Sequence, residues 1–197
     1  MRLLESLGHR VEDVKVDLGV DWEEFVLAGA RQWTANLTAS VDELAAAFGR
    51  PIDLSTLEPP ILASYHYGQR VSGAQFVAAL AIRNRVARSL ARHFDAHDVL
   101  LTPTLPELPP ALGTHAEGAE TLDGLGWLRC LFDISPFTVA FNAAGTPAMS
   151  VPVTADAETG LPIGVQFAAG CGLEGRLFRV AGQLEQASPW SGRTLTV

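Results

Sequence analysis

Lysine is almost missing from this sequence: thirteen arginines stand against a single lysine, Lys15. Any chemistry that needs a buried amine as its base therefore has one residue to draw on. Cysteine is nearly as scarce, and Cys130 and Cys171 are too few for a disulfide framework or a cysteine-built zinc site. No window approaches the ~18 consecutive apolar residues of a membrane span, and the opening Met1-Arg2-Leu3-Leu4-Glu5 does not read as a signal peptide. Positive charge is in deficit: 14 Lys and Arg against 22 Asp and Glu leave a formal net charge of −8. That excludes the basic face of a non-specific nucleic-acid binder. What is plentiful is apolar surface, with 48% hydrophobic and only 18% charged residues, enough for a packed core and too little charge for disorder. The expectation is a soluble, cytoplasmic chain of 197 residues, one medium domain or a large piece of one, with neither nucleic acid nor membrane as partner.

Periodicity divides the chain into helices first and strands later. Residues 2–7 read as the last turns of a helix stopped by Gly8, and residues 9–16 as a half-solvated edge strand with Val14 and Val16 on one face. Asp21 with Glu24 resembles a capping box and opens a helix through Trp22, Phe25, Val26, Gly29 and Trp33. Ser40 with Glu43 repeats the signal before residues 44–48, closed by Gly49 and Pro51. Ser72 with Gln75 starts the longest amphipathic run, with Phe76, Ala79, Leu80, Val86, Leu90 and Phe94 inward. Five arginines between Arg70 and Arg92 lie between them and read as a solvated helix face rather than an anion site. Residues 98–102 fit a buried strand ended by Pro103. Residues 104–126, rich in proline, glycine and acid, read as a long surface loop, and residues 125–133 as a short helix around Trp127. Then follow a helical stretch at 137–143, a strand at 148–153, a polar turn, a strand at 161–168 antiparallel to it, and a closing helix at 174–187. The class is α/β, with a mixed β-sheet of four strands flanked by helices.

Chemistry is hard to place on this frame. There is no Gly-x-Ser-x-Gly elbow, no Ser-x-x-Lys and no phosphate-cradling glycine loop. Ser150 has no base near it in sequence and reads as a small strand residue. Cys130 sits beside Leu128, Leu131 and Phe132 and is expected to be buried, while Cys171 lies between two glycines without a partner. His93 and His97 are spaced as two ligands on one helix face, yet the helix is expected to end before His97. His115 is the one further imidazole that would approach, and no metal is expected.

The final third carries a resemblance. Phe137-Thr138-Val139-Ala140-Phe141-Asn142-Ala143-Ala144-Gly145-Thr146-Pro147-Ala148-Met149-Ser150-Val151-Pro152 resembles a segment of the amidase signature family. Gly160-Leu161-Pro162-Ile163-Gly164-Val165-Gln166-Phe167 is similar to the hairpin strand that follows it there. Leu184-Glu185-Gln186-Ala187-Ser188-Pro189-Trp190 resembles that family's terminal helix, and Asp98-Val99-Leu100-Leu101-Thr102-Pro103-Thr104 its helix-to-strand step. The match is good over 72–190 and looser over 1–62. The resemblance implies that residues 1–197 form the C-terminal part of an amidase domain, an incomplete amidase-signature fold.

In that family a serine attacks the amide, a second serine in a cis peptide and a neutral buried lysine move the proton, and backbone N–H groups hold the oxyanion. The resemblance implies that those groups lie upstream. This chain has no matching Gly/Ser-rich stretch, and Lys15 does not stand in the family's lysine context. No catalytic residue carries over, no cofactor is implied, and the chain alone is expected to be inactive. Its implied partners are a small-molecule amide in the complete enzyme and either the missing N-terminal half or a second copy of itself. The turn at Ser135, Phe137 and Thr138, with the 104–126 loop, is the candidate for substrate contact. Phe137 as plain core and the loop as plain surface is an equal reading. Two competing functions stand beside this one: a non-catalytic amidase-like binding or assembly subunit, and an independent hydrolase acting through Cys130 or Ser150.

Overall fold

The structure is a computed structural model that describes residues 1–114, 117–190 and 192. Its elements run α1 (Arg2–Ser6), α2 (Trp22–Phe48), α3 (Pro59–Gln69), α4 (Gly73–Ala96), β1 (Leu100–Pro103), α5 (Gly124–Ile134), α6 (Val139–Ala144), β2 (Ala148–Ala155), β3 (Pro162–Ala168) and α7 (Glu174–Ala187). A 3-10 turn at Ala119–Thr121 interrupts the 104–126 loop. The chain divides into two compact units. One holds residues 1–18, 87–109 and 135–197, and the other residues 19–86 and 110–134. Among the described residues no helix is long and apolar enough to cross a membrane.

The second unit is helical. Asp21 caps α2, its Oδ1 accepting from Glu24 N at 2.7 Å, and Gly49 ends it in the left-handed conformation at φ 60°. Between those ends α2 is one helix of 27 residues, so the second start expected at Ser40 is not there. No glycine or proline separates residues 34–43, and a Ser-x-x-Glu pair inside an unbroken helix has no free N–H to cap. Helix α3 has Pro59 and Pro60 at its first positions, where the missing N–H costs nothing. It packs so closely on α2 that a side chain at Gly68 would overlap the Thr34 carbonyl. The Ser72–Gln75 capping box is reciprocal as expected: Ser72 N donates to Gln75 Oε1 at 2.9 Å and Gln75 N to Ser72 Oγ at 3.2 Å. Arg70, Arg83, Arg85 and, on the residues of α4 that belong to the first unit, Arg88 and Arg92 are all exposed, a solvated face, while Ala79, Val86 and, in the first unit, Leu90 are buried. Phe132 of α5 is the centre of the core here, with rings of Phe25, Trp22 and Trp33 at 5.6, 6.4 and 5.4 Å. Because Leu128 and Phe132 define the inward face of α5, Cys130 points the other way and is exposed, contrary to the burial expected of it.

The first unit is built on a sheet of three strands in the order β1-β3-β2, antiparallel throughout. The α/β class and the helix-flanked sheet are as expected; the mixed pairing is not. Residues 9–18 form no strand, because no described strand lies against them to complete a ladder. Strands β2 and β3 form the expected hairpin. Its turn is held by Asp156, whose Oδ2 accepts from Thr159 N at 2.8 Å and Thr159 Oγ1 at 2.7 Å. One face of the sheet carries Leu101, Phe167 and Met149 in register. That face joins the core formed with Leu4 and with Leu177, Val180 and Leu184 of α7.

Candidate functional site

The other face of the sheet carries a polar row beside the apolar row Leu100, Ala168 and Ala148. Side chains alternate along a strand, so the row Thr102, Gln166, Ser150 shares that face, one residue from each strand in register. Next to it Thr104 Oγ1 and Ser150 Oγ meet at 2.6 Å. They meet over Gly164, where a Cβ would lie 2.8 and 2.9 Å from the two oxygens, so the close approach needs glycine.

Gln166 ties this face to the 135–138 turn. It is 4% exposed, and its Nε2 donates both to Thr102 Oγ1 at 2.9 Å and to the Phe137 carbonyl at 2.7 Å. The turn itself closes on Ser135: its carbonyl accepts from Thr138 N and Thr138 Oγ1, each at 3.1 Å, and from Val139 N at 3.4 Å. Ser135, Phe137 and Thr138 are half-buried, so each is partly reachable while its backbone is fixed. The structure thus brings the three candidate residues into one turn and anchors that turn on the sheet. Thr102, Thr104, Ser150 and Gln166 are the residues that sequence reasoning passed over as a group. The signal was there, since polar residues two apart in otherwise apolar strands mark one face, but strand register alone brings the three strands' polar positions into one row.

The other candidates resolve simply. Ser150 pairs with a threonine hydroxyl, which is no base at neutral pH. Cys171 is exposed, its Sγ 3.8 Å from the Gly145 carbonyl. Helix α4 ends at Ala96, before His97 as expected, yet His97 N still donates to the His93 carbonyl at 3.1 Å and keeps the helical spacing. The two imidazole rings lie 4.6 Å apart, and His97 Nε2 is 3.6 Å from Glu12 Oε1. Burial, and then the neighbouring His97, hold the His93 pKa below its ordinary value. Among the described residues no three His, Cys, Asp or Glu side chains are grouped to hold a metal ion. His115 lies outside the described residues. Lys15 is exposed.

Comparison with known proteins gives these observations a frame. The family model "Amidase" matches residues 1–178. The AmiC protein of Mycobacterium leprae is 33% identical over 195 residues, covering 96% of this chain and 39% of its own length. The 6-aminohexanoate-cyclic-dimer hydrolase of a Pseudomonas strain is 32% identical over 198 residues, with the same two coverages of 96% and 39%. A solved structure of 6-aminohexanoate cyclic dimer hydrolase superposes with a TM-score of 0.88 at 29% identity, over 99% of this chain and 41% of that one. This chain therefore spans about 39% of the length of the curated relatives it matches. With hairpin, polar row and closing helix in place and the family model matching from residue 1 to 178, the chain belongs to the amidase family.

Proposed function

We propose that residues 1–197 are the C-terminal part of an amide-hydrolysing domain, a scaffold and substrate wall that supplies no catalytic group of its own. The observation that carries this is a mismatch of coverage: the relatives account for nearly all of this chain, while the chain accounts for 39% of them. The residue inventory agrees. Serine–serine–lysine chemistry needs a buried, neutral amine, and the single lysine here, Lys15, is exposed on a segment without secondary structure. Ser150 is engaged with Thr104, away from any base. The nucleophile, its base and the oxyanion donors then come from the part of the relatives' length that this chain does not span. The substrate is a small-molecule amide, and the half-buried Ser135, Phe137 and Thr138 are the side chains that contact it in this reading, supported by their partial exposure on a fixed backbone. Gln166 fixes the Phe137 carbonyl beneath them. The unpaired Cys130 and Cys171 suit a reducing cytoplasm.

The test is reconstitution. The chain alone is assayed with a serine-directed fluorophosphonate probe and with a panel of anilides and the 6-aminohexanoate cyclic dimer. It is assayed again after co-expression with the part of the Pseudomonas hydrolase that lies outside the matched region. Neither labelling nor hydrolysis is expected from the chain alone. Amide hydrolysis is expected from the mixture, abolished by removing the nucleophilic serine of the added part. Hydrolysis by the chain alone would overturn the reading. A complex that forms and stays inert would favour an assembly subunit instead.

A further inference from the structure

The last turns of α2 leave an apolar stripe open. Val41, Leu44, Ala45 and Phe48 fall at helical spacing on one face, and Leu44 and Phe48 are 56% and 73% exposed. Pro51, Ile52, Thr56 and Leu57, from the segment after Gly49, join that stripe around a pocket of about 310 Å³. This is the lower end of the size range of ligand sites. The segment is tied to itself. Thr56 Oγ1 donates to the Pro51 carbonyl at 2.5 Å and Leu57 N to the Asp53 carbonyl at 2.9 Å. Ser55 N and Ser55 Oγ donate to Asp53 Oδ1 at 2.8 and 2.6 Å. A wall fixed in this way loses little conformational freedom when the pocket is filled.

The lining carries one charge, the guanidinium of Arg50. It stands just past the C-terminus of α2, where the helix dipole favours a cation. Among the described residues no hydrogen bond or ion pair engages its side chain. Thr56, the other polar side chain of the lining, already donates its hydroxyl to Pro51. An apolar pocket with one unpaired guanidinium complements a molecule with an apolar tail and one carboxylate. The planar fork of arginine matches the two carboxylate oxygens, whereas a single cation leaves the second charge of a phosphate unmatched.

We infer that this pocket binds a small monocarboxylate with an alkyl or aryl tail, the tail against Leu44, Phe48 and Leu57 and the carboxylate on Arg50. Hydrolysis of an amide by water releases a carboxylate and an amine, so the ligand belongs to a product class. That link alone rests on the proposed function, and the binding does not.

The test titrates the full isotope-labelled chain at neutral pH and reads its amide chemical shifts. The probes are octanoate, its uncharged counterpart octanamide, octylammonium and the shorter butanoate. Octanoate is expected to give saturable shifts confined to residues 41–57, with a Kd of about 1 mM or tighter. Octanamide is expected to bind about tenfold more weakly for want of the charge, and octylammonium not to saturate. Butanoate loses four methylenes and is expected to bind more than about tenfold more weakly than octanoate. Arg50→Gln is expected to bring octanoate down to the affinity of octanamide and to leave octanamide binding unchanged. Ala45→Phe fills the pocket and is expected to abolish both; should that variant not fold, Arg50→Gln carries the test.

Equal affinity for octanoate and octanamide overturns the inference, as do shifts centred outside 41–57 or no saturation by about 20 mM. Shifts at 41–57 that grow as the chain alone is concentrated assign the pocket to a second copy and overturn the ligand. Loss of octanoate binding on adding the part of the Pseudomonas hydrolase outside the matched region assigns it to that polypeptide and overturns it as well. None of these readouts uses hydrolysis, so the proposed function is judged separately by the activity of the chain alone.

Discussion

The two units of this protein solve the same backbone problem in different ways. The helical unit satisfies its hydrogen bonds within each helix and adds side-chain ties between them: Thr38 Oγ1 donates to the Tyr65 carbonyl at 2.9 Å, and Gln32 Nε2 to the Ala79 carbonyl at 3.0 Å. Its aromatic centre at Phe132 is 2% exposed. The sheet unit cannot close itself in this way. A sheet of three strands has two outer edges; β2's carries Pro152, and β1's is left beside a cavity. Helices can complete themselves locally, whereas a strand is complete only when another strand arrives. The unit that carries the quoted family motifs and the anchored 135–138 turn is the one with the open edge.

Substitutions can break that contrast, beginning where the helical unit is most self-contained. Phe132→Ala removes a buried ring that touches Trp22, Phe25 and Trp33, and costs about 4 kcal/mol. Urea unfolding followed by tryptophan fluorescence, which is dominated by Trp22, Trp33 and Trp127 of that unit, is expected to shift accordingly. In the sheet unit the comparable weak point is polar. Gln166→Leu keeps the volume but leaves the Phe137 carbonyl and Thr102 hydroxyl without their donor, a cost of about 2 kcal/mol. Faster amide exchange across residues 135–139 is the expected sign, with α2 and α3 unaffected.

Smaller effects sharpen the same comparison. Ser72→Ala removes one half of a reciprocal cap and costs about 1 kcal/mol, which thermal unfolding monitored at 222 nm would register. The smallest effect is one of pH. His93 has its pKa lowered by burial and by His97, so the unfolded chain takes up that proton first on acidification. Its stabilising contribution is complete above about pH 6.5, the ordinary histidine value, and is lost as pH falls from there through the lower folded value. Arg10, Glu12, Asp13 and Asp98 are the charged side chains lining the cavity with His93 and all remain in His93→Gln; His9 and His97 line it too. The drop in urea midpoint between pH 7.5 and 5.5 is therefore expected to shrink in that variant.

Much of this architecture was legible from local chemistry. The caps at Asp21 and Ser72, the stop at Gly49, the β2–β3 hairpin with its polar turn and the limits of α7 follow from residues a few positions apart. A strand at 9–16 and a buried Cys130 are each locally reasonable, and each is decided by what lies across from it in space. The false start at Ser40 has a local cause, since no glycine or proline breaks the helix at 34–43. Helix α3 went unread because Pro59 and Pro60 look like breakers unless they stand at a helix's first positions. For the site, the 135–138 turn was visible as part of a family motif, but its anchor was not: Gln166 and Phe137 are far apart in the chain and meet only through the fold.

By itself the sequence determined the α/β class, the family and the limits of most of the elements. Those properties depend on composition and on contacts within a few residues. The tertiary structure alone decided which face of the sheet carries the polar row, that Gln166 holds the candidate turn, and that β1, residues 9–14 and Val16 line a common cavity. A strand's partner, and therefore its register and its free edge, are long-range choices that no local pattern encodes.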